Sequence, residues 1–510
     1  MSPPAQATEA DLAAERAEFQ RLQGLFREQY ARVFSDRTHP RTILVVPSLS
    51  LDQDSLARIK GAAHYEERLL CLLLLLRFPR ARVVYLSSVE IPEAIIDYML
   101  HLLPAAPYRH ARARLTTLSC HDGSARPLTE KVLERPRLLR RIEQVLGDPS
   151  HAHMTCFNVS ELERRLAVRL GVPIYGCDPD LLPLGSKSGG RRLFREAGTP
   201  MPDGFEDLRD GADVAEALAE LKARDPALRR AVVKLNEGFS GEGNATFRFD
   251  GAPEEAGALK RWTREQLPGV VCEAKGLDWR GFEPKLQEMG GVVEAFVEGA
   301  EKRSPSAQYR VDPMGVAAPV STHDQLLGGP TGQVFLGSEF PADPAYRLAI
   351  QEEGGKVARL LAERGVLGRF GVDFISVREG ETWRHYAIEI NLRKGGTTHP
   401  FLMLEQLTGG GYERETGLFL TRDGTPRYYY ATDNLEAERY RGLTPEDLID
   451  IAVSWDIHFD RAAQKGVVFH LIGAMSEFGK VGAVCIGESP AEARRLYAEA
   501  VGAVDRETGG

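Results

Sequence analysis

Cysteine is scarce in this sequence and follows no spacing pattern. The 510 residues include six cysteines and no C-x-x-C pair, which argues against a disulfide framework and against a zinc ribbon. Most of them stand inside apolar segments, so we expect reduced core residues of a cytoplasmic protein. They are Cys71, Cys120, Cys156, Cys177, Cys272 and Cys485.

Long hydrophobic runs and a secretory leader are lacking too. The leucine-rich run Leu69–Leu76 is far shorter than the ~20 residues that a membrane-spanning helix needs. The first residues are polar and rich in Ala and Glu, without the apolar segment of a signal peptide. We therefore predict a cytoplasmic protein without a membrane partner.

Positive charge is not in excess. The chain has 64 Lys and Arg against 73 Asp and Glu, a net charge of -9, which disfavours a general nucleic-acid binder. Its hydrophobic fraction of 43% and charged fraction of 27% are ordinary for a globular enzyme. A chain of this length predicts about two to four domains of roughly 100 to 200 residues each.

Two common nucleotide-binding motifs are also missing. No G-x-G-x-x-G follows the first apolar strand, and no G-x-x-x-x-G-K-[ST] occurs. Short apolar strands nevertheless alternate with helical patterns over residues 1–183, which predicts a parallel, Rossmann-like α/β sheet. The strands are predicted at Thr42–Val46, Arg82–Ser87, Leu115–Ser119, Met154–Asn158 and Val172–Tyr175.

The pattern changes after residue 183. A helix over Ser186–Ala197 and then antiparallel hairpins predict an α+β unit over residues 184–432. Residues 433–510 contain two apolar strands and a closing helix from Pro490, which predicts a small C-terminal α/β domain or a lid.

Three oxygen-bearing side chains stand on two apolar strands near residues 370–391. Glu389 and Asn391 alternate with Ile388 and Ile390, so the two polar side chains are predicted on one face, near Asp373 of the preceding strand. Buried carboxylates without partners are costly, and hard oxygen ligands suit Mg²⁺. The pattern predicts a magnesium site, with a solvated edge hairpin as the alternative.

A glycine-rich segment follows Lys234 and lies between two predicted strands. A loop over residues 238–243 can fold over phosphate groups, because glycine permits close approach and positive φ. Lys187 lies upstream as a second cation. Each feature alone is typical of a hairpin tip or of a surface charge. Together with the acidic strands, they predict a nucleoside-triphosphate site.

The order of these features resembles the ATP-grasp ligases over about residues 184–432. That resemblance implies an α+β ATP-grasp fold that holds ATP between two antiparallel sheets, with two Mg²⁺ ions, or Mn²⁺ as the alternative metal. Asp373, Glu389 and Asn391 match the metal ligands of the family. The residues that match its ATP-binding positions are Lys187, Lys234, Gly238, Ser240, Gly241, Gly243, Glu294, Ala295, Phe296, Val297 and Glu301. The resemblance implies that Glu294 begins the hinge that lines adenine and that Glu301 is the ribose-binding carboxylate.

The resemblance also implies three catalytic residues, Lys234, Arg393 and Arg369. Arg393 completes the E-x-N-x-R variant of the family's metal motif. D-alanine ligases carry an arginine two residues before the first metal aspartate, whereas this chain has Gly371 there and Arg369 two residues further back. Arg369 is expected to reach the γ-phosphate, with an ordinary salt bridge as the alternative.

Two further segments, 321–330 and 391–400, resemble the pheganomycin-type peptide ligases. In these, a Rossmann-like pre-ATP-grasp domain precedes the ATP-grasp domain and a small domain follows it, so the resemblance covers nearly the whole chain. The substrate residues taken from these segments are His323, Asp324, Lys394, Gly395, Gly396 and His399. The alternatives are structural histidines and glycines at a helix N-terminus.

The activity implied is that of an ATP-dependent carboxylate-amine ligase that works through an acyl phosphate and releases ADP and phosphate. Its expected partners are small-molecule or peptide carboxylates and amines, and the acceptor is a peptide or a small amino acid. A homodimer is the general expectation for such an enzyme. The competing hypotheses are a catalytically silent nucleotide-binding scaffold and a dehydrogenase, which would lack its glycine fingerprint.

Overall fold

A computed structural model describes residues 8–36, 38–50, 56, 59–104, 106–238, 243–274, 276–328 and 334–509. Among these residues, every helix is too short or too polar to cross a bilayer. The six cysteines are free thiols, and only Cys272 is partly exposed.

The N-terminal part contains a four-stranded parallel sheet in the order β3-β2-β1-β4. Alternate residues of β1 enter two different apolar cores, so both faces of the sheet are covered, as the continuous apolar runs predict. The fifth predicted strand, Val172–Tyr175, is reduced to one bridge between Ile174 and Met154. The strands are β1 (Arg41–Val46), β2 (Ala81–Ser87), β3 (Leu115–Ser119) and β4 (Ala152–Cys156).

Helices surround this sheet. The longest begins after a capping box, in which Thr8 and Asp11 satisfy each other's backbone N–H groups. The α-helices are α1 (Glu9–Ser35), α2 (Glu93–His101), α3 (Tyr108–Arg112), α4 (Leu128–Leu133), α5 (Pro136–Leu146) and α6 (Glu161–Leu170), and the 3-10 helices are Ala62–Arg77, Pro149–His151 and Pro179–Gly185.

A second, five-stranded antiparallel sheet follows, in the order β5-β9-β6-β7-β8. Its central strands β6 and β9 are apolar on the face that packs against the helices of this part. The strands are β5 (Gly204–Leu208), β6 (Arg230–Leu235), β7 (Asn244–Arg248), β8 (Val271–Cys272) and β9 (Gly291–Ala295). The helices are α7 (Lys187–Ala197), α8 (Gly211–Arg224), α9 (Ala256–Gln266), α10 (Trp279–Met289) and the 3-10 helix Leu267–Gly269.

The third sheet is larger and mainly antiparallel. One of its strands, β14, pairs with β11 on one side and with β15 on the other. The strands are β10 (Lys302–Arg303), β11 (Pro305–Val311), β12 (Ala317–Gly328), β13 (Val334–Phe340), β14 (Gly368–Glu379), β15 (Thr382–Asn391), β16 (Gly411–Glu413), β17 (Leu418–Leu420), β18 (Pro426–Glu436), β19 (Gly466–His470) and β20 (Lys480–Gly487). The helices are α11 (Arg347–Glu363), α12 (Thr398–Thr408), α13 (Pro445–Ser454), α14 (Met475–Phe478), α15 (Pro490–Glu507) and the 3-10 helices Glu438–Tyr440 and Ile472–Ala474.

The C-terminal segment extends this third sheet. β20 pairs with β18, and β19 pairs with β20, so the predicted boundary between residues 432 and 433 falls inside a strand. One apolar core also joins this segment to the N-terminal part, with Leu448 and Val484 in the same cluster as Leu73 and Tyr85. The N-terminal and C-terminal parts therefore meet beside the third sheet.

Candidate active site

A cleft of about 590 Å³ is lined by residues from all parts of the chain. β6 and β9 supply one wall, and β14 and β15 supply the facing wall. The 3-10 helix Ala62–Arg77 and the end of β18 complete it. The cleft thus contains side chains of both antiparallel sheets, where the sequence predicts the nucleotide.

Two acidic side chains stand side by side in this cleft because of the strand register. Asp373 of β14 is the direct partner of Glu389 on β15, and Gly371 is the partner of Asn391. The amide of Asn391 donates to Asp373 Oδ2 at 3.0 Å. Ser306 donates to Asp373 Oδ1 at 2.6 Å. The three predicted metal ligands are therefore neighbours.

The flanking isoleucines do not both turn away from the cleft. A β-bulge between Asp373 and Phe374 breaks the strict alternation along β15. Ile390 is buried, with 2% of its surface exposed, whereas Ile388 lines the cleft beside Glu389. The predicted alternation is wrong at Ile388, since a bulge cannot be read from the apolar pattern.

The pKa values of the two acidic residues, Asp373 and Glu389, are shifted in opposite directions. Burial and the neighbouring charge of Glu389 raise the pKa of Asp373 to about 6. Burial acts in the same direction on Glu389, but Lys187 lies against its carboxylate and lowers the pKa of that group. Two adjacent carboxylates and an amide oxygen fit a divalent cation such as Mg²⁺, which would remove the repulsion.

The position of Lys187 follows from the local sequence. Ser186 caps the helix by accepting from Gly189 N at 3.0 Å, so α7 begins at Lys187. A side chain at Gly189 would place its Cβ 2.0 Å from Pro183 O, so only glycine fits the close approach. These two residues bring Lys187 to Glu389 in the cleft.

Lys234 and Glu294 form a buried pair on the opposite wall. Lys234 Nζ donates to Glu294 Oε2 at 2.5 Å, and Arg191 Nη1 donates to the other carboxylate oxygen at 2.8 Å. The two cations hold the pKa of Glu294 below its usual value, although burial alone would raise it. Lys234 and Glu294 both line the cleft.

The residues after Glu294 continue along the cleft. Ala295, Phe296 and Val297 line it, as predicted for the adenine-binding hinge. Arg230 and Lys302 lie over the ring of Phe296, at 3.9 and 4.5 Å from its centroid. Apolar and aromatic surface is therefore present where the base is expected.

Glu301 has different surroundings from those expected of a ribose ligand. Its carboxylate accepts from Arg378 at 3.2 Å and from Arg303 at 3.4 Å, whereas the next residue, Lys302, lines the cleft. Lys302 was not predicted as a cleft residue, because sequence spacing alone does not fix which side chain of a short strand points inward.

The glycine-rich loop is described at its two ends. Gly238 lines the cleft, and Gly243 O accepts from Leu235 N at 2.9 Å. A Cβ on Gly238 would lie 3.2 Å from Gly243 Cα, so the two ends of the loop approach closely. The predicted positions Ser240 and Gly241 lie outside the described residues.

The residues that follow β15, Arg393 to Gly396, lie in two different environments. Arg393, Gly395 and Gly396 line the cleft. Lys394 points the other way: its Nζ donates to Thr155 Oγ1 at 2.9 Å and to Cys156 O at 2.5 Å, at the end of β4. Burial lowers its pKa to about 8. Lys394 therefore anchors the loop to the N-terminal sheet, and its predicted substrate role is not matched by its position.

Three more predicted residues lie away from the cleft. His323 is fully buried and contacts Tyr429 Oη at 2.6 Å, and burial lowers its pKa to about 3. Asp324 accepts from Tyr346 Oη at 2.6 Å and from the backbone of Asp343. Arg369 Nη2 lies 3.8 Å from Glu405, which is the salt-bridge alternative for this residue.

His399 belongs to a buried polar cluster at the edge of the cleft. Its Nε2 lies 2.9 Å from His470 Nε2 and 3.2 Å from Asp433 Oδ1. Asp433 also accepts from Arg68, and both Arg68 and Asp433 line the cleft. Sequence reasoning missed these two residues because they are 365 positions apart. A lone arginine beside a leucine-rich run was the available signal.

Comparison with known proteins decides the family. The chain is 31% identical over 470 residues to the L-propargylglycine--L-glutamate ligase of Streptantibioticus cattleyicolor, covering 91% of this chain and 94% of that relative. A family model described as IQCH-like, ATP-grasp matches residues 183–267 and 258–412. The chain belongs to the ATP-grasp ligases.

The remaining comparisons agree with an ATP-grasp fold. The family model of the PGM1 C-terminal domain matches residues 447–500. The biotin carboxylase domain of Hydrogenobacter thermophilus 2-oxoglutarate carboxylase, crystallised with MgADP, ADP and bicarbonate, gives a TM-score of 0.53 at 13% identity and covers 90% of this chain and 89% of that one. Biotin carboxylase from Campylobacter jejuni gives 0.51 at 12% identity, over 93% and 96% of the two chains.

These findings confirm the predicted family and fold class. The chain has the predicted Rossmann-like N-terminal sheet and the antiparallel sheets of an α+β ATP-grasp fold, and its C-terminal segment adds strands to the third sheet. The enzyme class, a ligase that joins a carboxylate to an amine, is likewise confirmed, and a silent scaffold is not favoured.

Proposed function

We propose that this ATP-grasp ligase uses ATP and Mg²⁺ to join an amino-acid or short-peptide carboxylate to the amine of a second amino acid or peptide. The reaction would pass through an acyl phosphate and release ADP and phosphate. The observation that carries the proposal is that the acidic pair, Lys234 and Arg393 line one cleft, with Lys187 paired to Glu389. Such a set neutralises phosphate charge and holds it in place.

Asp373, Glu389 and Asn391 are the residues that would hold the metal. When bound, Mg²⁺ supplies charge neutralisation on the phosphate oxygens. Lys187 pairs with Glu389 and is well placed to exchange this carboxylate for a phosphate oxygen. Lys234 is the corresponding cation on the facing wall, where Glu294 and Arg191 fix its position.

Arg393 is our choice for the residue that binds the reacting carboxylate and then stabilises the transferred phosphoryl group. It lines the cleft directly after the metal strand, and its planar guanidinium can donate two parallel hydrogen bonds to either group. Gly395 and Gly396 follow it and leave the backbone accessible. A Cβ on Gly396 would lie 2.6 Å from the ring of Phe335, so position 396 has no room for a side chain.

The substrate class rests on the relative, whose name records L-propargylglycine and L-glutamate as the joined amino acids. By analogy, L-glutamate is the first carboxylate to test with this chain. A pool of L-amino acids and short peptides serves as the acceptor. A protein that binds ATP yet condenses nothing would be the scaffold of the competing hypothesis.

The decisive experiment incubates the protein with ATP, Mg²⁺, L-glutamate and the acceptor pool, and detects condensation products by mass spectrometry. ADP release is measured in parallel, with and without acceptors. Lys234→Ala is the negative control, because it removes a phosphate-binding cation while Arg191 still holds Glu294. Amide products that require ATP are expected; ADP release without any product from the wild type contradicts the proposal.

A further inference from the structure

Arg68 is an arginine of the N-terminal part that reaches the active-site cleft. It stands in the 3-10 helix Ala62–Arg77, is 7% exposed, and lines the cleft. Its guanidinium lies over the ring of Tyr65, 4.2 Å from the centroid, and faces Phe157 at 5.6 Å. Its Nε is buried and makes no hydrogen bond within the described chain. A ligand in the cleft would therefore be bound by the Nη atoms of the guanidinium.

The guanidinium is held rigidly from two sides. Asp433 accepts a hydrogen bond from it, and Asp433 Oδ1 lies 2.6 Å from His470 Nε2. On the other side, Lys480 Nζ donates to Tyr65 Oη at 2.9 Å and so fixes the ring on which Arg68 lies. Asp433, His470 and Lys480 are positioning residues, since they act on Arg68 rather than on a ligand.

The buried cluster behind Arg68 is better explained as a support than as a metal centre. One ligand atom from each of His399, Asp433 and His470 lies within 4.8 Å of the others. However, Nδ1 of both histidines is buried and has no hydrogen-bond partner in the described chain, whereas a metal-bound histidine normally donates from its second nitrogen. Arg68 already balances the charge of Asp433, and together with the histidines it holds the pKa of that carboxylate well below its usual range, against the effect of burial.

The cleft therefore contains two separate guanidinium groups. Arg393 lies near Asp373 and Glu389, whereas Arg68 is paired with Asp433. Both arginines line the same cleft. A guanidinium has five N–H donors, so Arg68 can pair with Asp433 and still donate to an anionic ligand in the cleft. In the proposed function the phosphate and the reacting carboxylate account for Arg393, whereas Arg68 has no role in it yet.

We propose that Arg68 binds the free carboxylate of the acceptor amino acid or peptide, the carboxylate that the reaction does not consume. This inference rests on the proposed function. It predicts that acceptors are α-amino acids or peptides with a free C-terminus, and that simple amines and C-terminal amides are poor acceptors. A fork of N–H donors against a carboxylate supplies both the affinity and the orientation of the amine.

The test compares each accepted amino acid or peptide with its carboxamide. In the wild type, the KM of the carboxylate form should be about 10- to 100-fold lower than that of the amide, as expected for hydrogen bonds to a charged group. Arg68→Met should raise the KM of the carboxylate form to that of the amide and leave the KM for ATP unchanged. Arg68→Lys, which keeps the charge and loses the fork, should give an intermediate KM.

The matched control is Arg165→Met, which removes an exposed arginine that pairs with Glu15 at 3.2 Å. It should behave as the wild type, and thermal unfolding checks that every variant is folded. An unchanged carboxylate preference in Arg68→Met overturns the Arg68 site while leaving the ligase intact. If the wild type forms no product, the proposed function fails. Titration of L-glutamate and L-alanine into the wild type and Arg68→Met, with a non-hydrolysable ATP analogue, then tests the site alone. Equal binding, or none, overturns it.

Discussion

Arg393 and Lys394 are consecutive basic residues with opposite surroundings. Arg393 lines the cleft beside two carboxylates whose charges repel each other. Lys394 is buried against Thr155 and Cys156, which satisfy its ammonium group within the protein. The difference separates two kinds of buried polar residue. Those whose partners are all in the protein stabilise the fold, whereas those arranged around an unbalanced charge are arranged for a ligand.

The strongest test of this comparison is a substitution in the acidic pair beside Arg393. Asp373→Asn should lower acceptor-dependent ADP release by at least about 100-fold, because it removes a predicted metal ligand. The unfolding temperature should stay close to that of the wild type or rise, since the substitution relieves the repulsion with Glu389.

Glu379→Gln is the control for that experiment. Glu379 stands at the exposed end of the same strand and pairs with Arg384 at 2.9 Å. The Glu379→Gln variant should keep wild-type turnover. Near-normal activity in Asp373→Asn would show that the acidic pair holds no essential metal.

The roles of Arg393 and Lys394 can be distinguished by substituting each of them with methionine. Arg393→Met should reduce turnover by about 10- to 100-fold at nearly unchanged stability, because it removes a charged donor from the reacting groups. Lys394→Met should leave turnover per folded molecule within about threefold. At about pH 10.5, where burial of the charge no longer costs stability, it should lower the free energy of unfolding by about 1 to 3 kcal/mol, because Thr155 and Cys156 lose their partner. Steady-state kinetics and denaturant unfolding on both variants measure the contrast, and a reversed pattern would exchange the two roles.

The pH dependence of stability gives a finer test of Lys394. Burial lowers its pKa from 10.5 to about 8, with Cys156, Arg369 and Cys71 as the nearby titratable or charged groups. Between these values the unfolded chain binds more protons than the folded one, so stability rises with pH. The cost of burying the charge is complete below about pH 8 and is lost as pH rises towards 10.5, a change of about 3 kcal/mol.

Thermal or denaturant unfolding of the wild type and Lys394→Met from pH 7 to 10.5 isolates this contribution, because other groups titrate in both proteins. The stability of the wild type relative to the variant should increase over this interval. A difference that stays constant with pH would mean that Lys394 keeps its ordinary pKa in the folded state.

The sequence was sufficient for the elements and for the residues whose register follows from strand alternation. Asp373, Glu389 and Asn391 are neighbours because β14 and β15 form one hairpin, and Lys187 follows a readable serine cap. Which side chains line the cleft was harder to predict from the sequence. The bulge at Asp373 brings Ile388 into the cleft, and Lys302 lines it where Glu301 was expected.

Contacts between residues far apart along the chain could not be predicted from the sequence. Lys394 matched the family segment, but its partners lie on β4, 238 and 239 positions away. The sequence predicts substrate roles for His323 and His399, with structural histidines as the alternative, and each is enclosed by buried groups that local patterns do not reveal. Arg68 is the opposite case, since it reads as part of an apolar helix and reaches the cleft only through the packing of the N-terminal and C-terminal parts.

The smallest expected effect concerns Arg369, which shares a face of β14 with Asp373 but stands four residues further along, roughly 13 Å away at about 3.3 Å per residue. Its guanidinium lies 3.8 Å from Glu405 and 6.0 Å from the centroid of Phe401, beneath helix α12. Arg369→Met should therefore change turnover by less than about threefold, and the ion pair it removes is worth about 1 kcal/mol or less. Kinetics beside Arg393→Met measures this, and a loss as large as that of Arg393→Met would return Arg369 to the γ-phosphate.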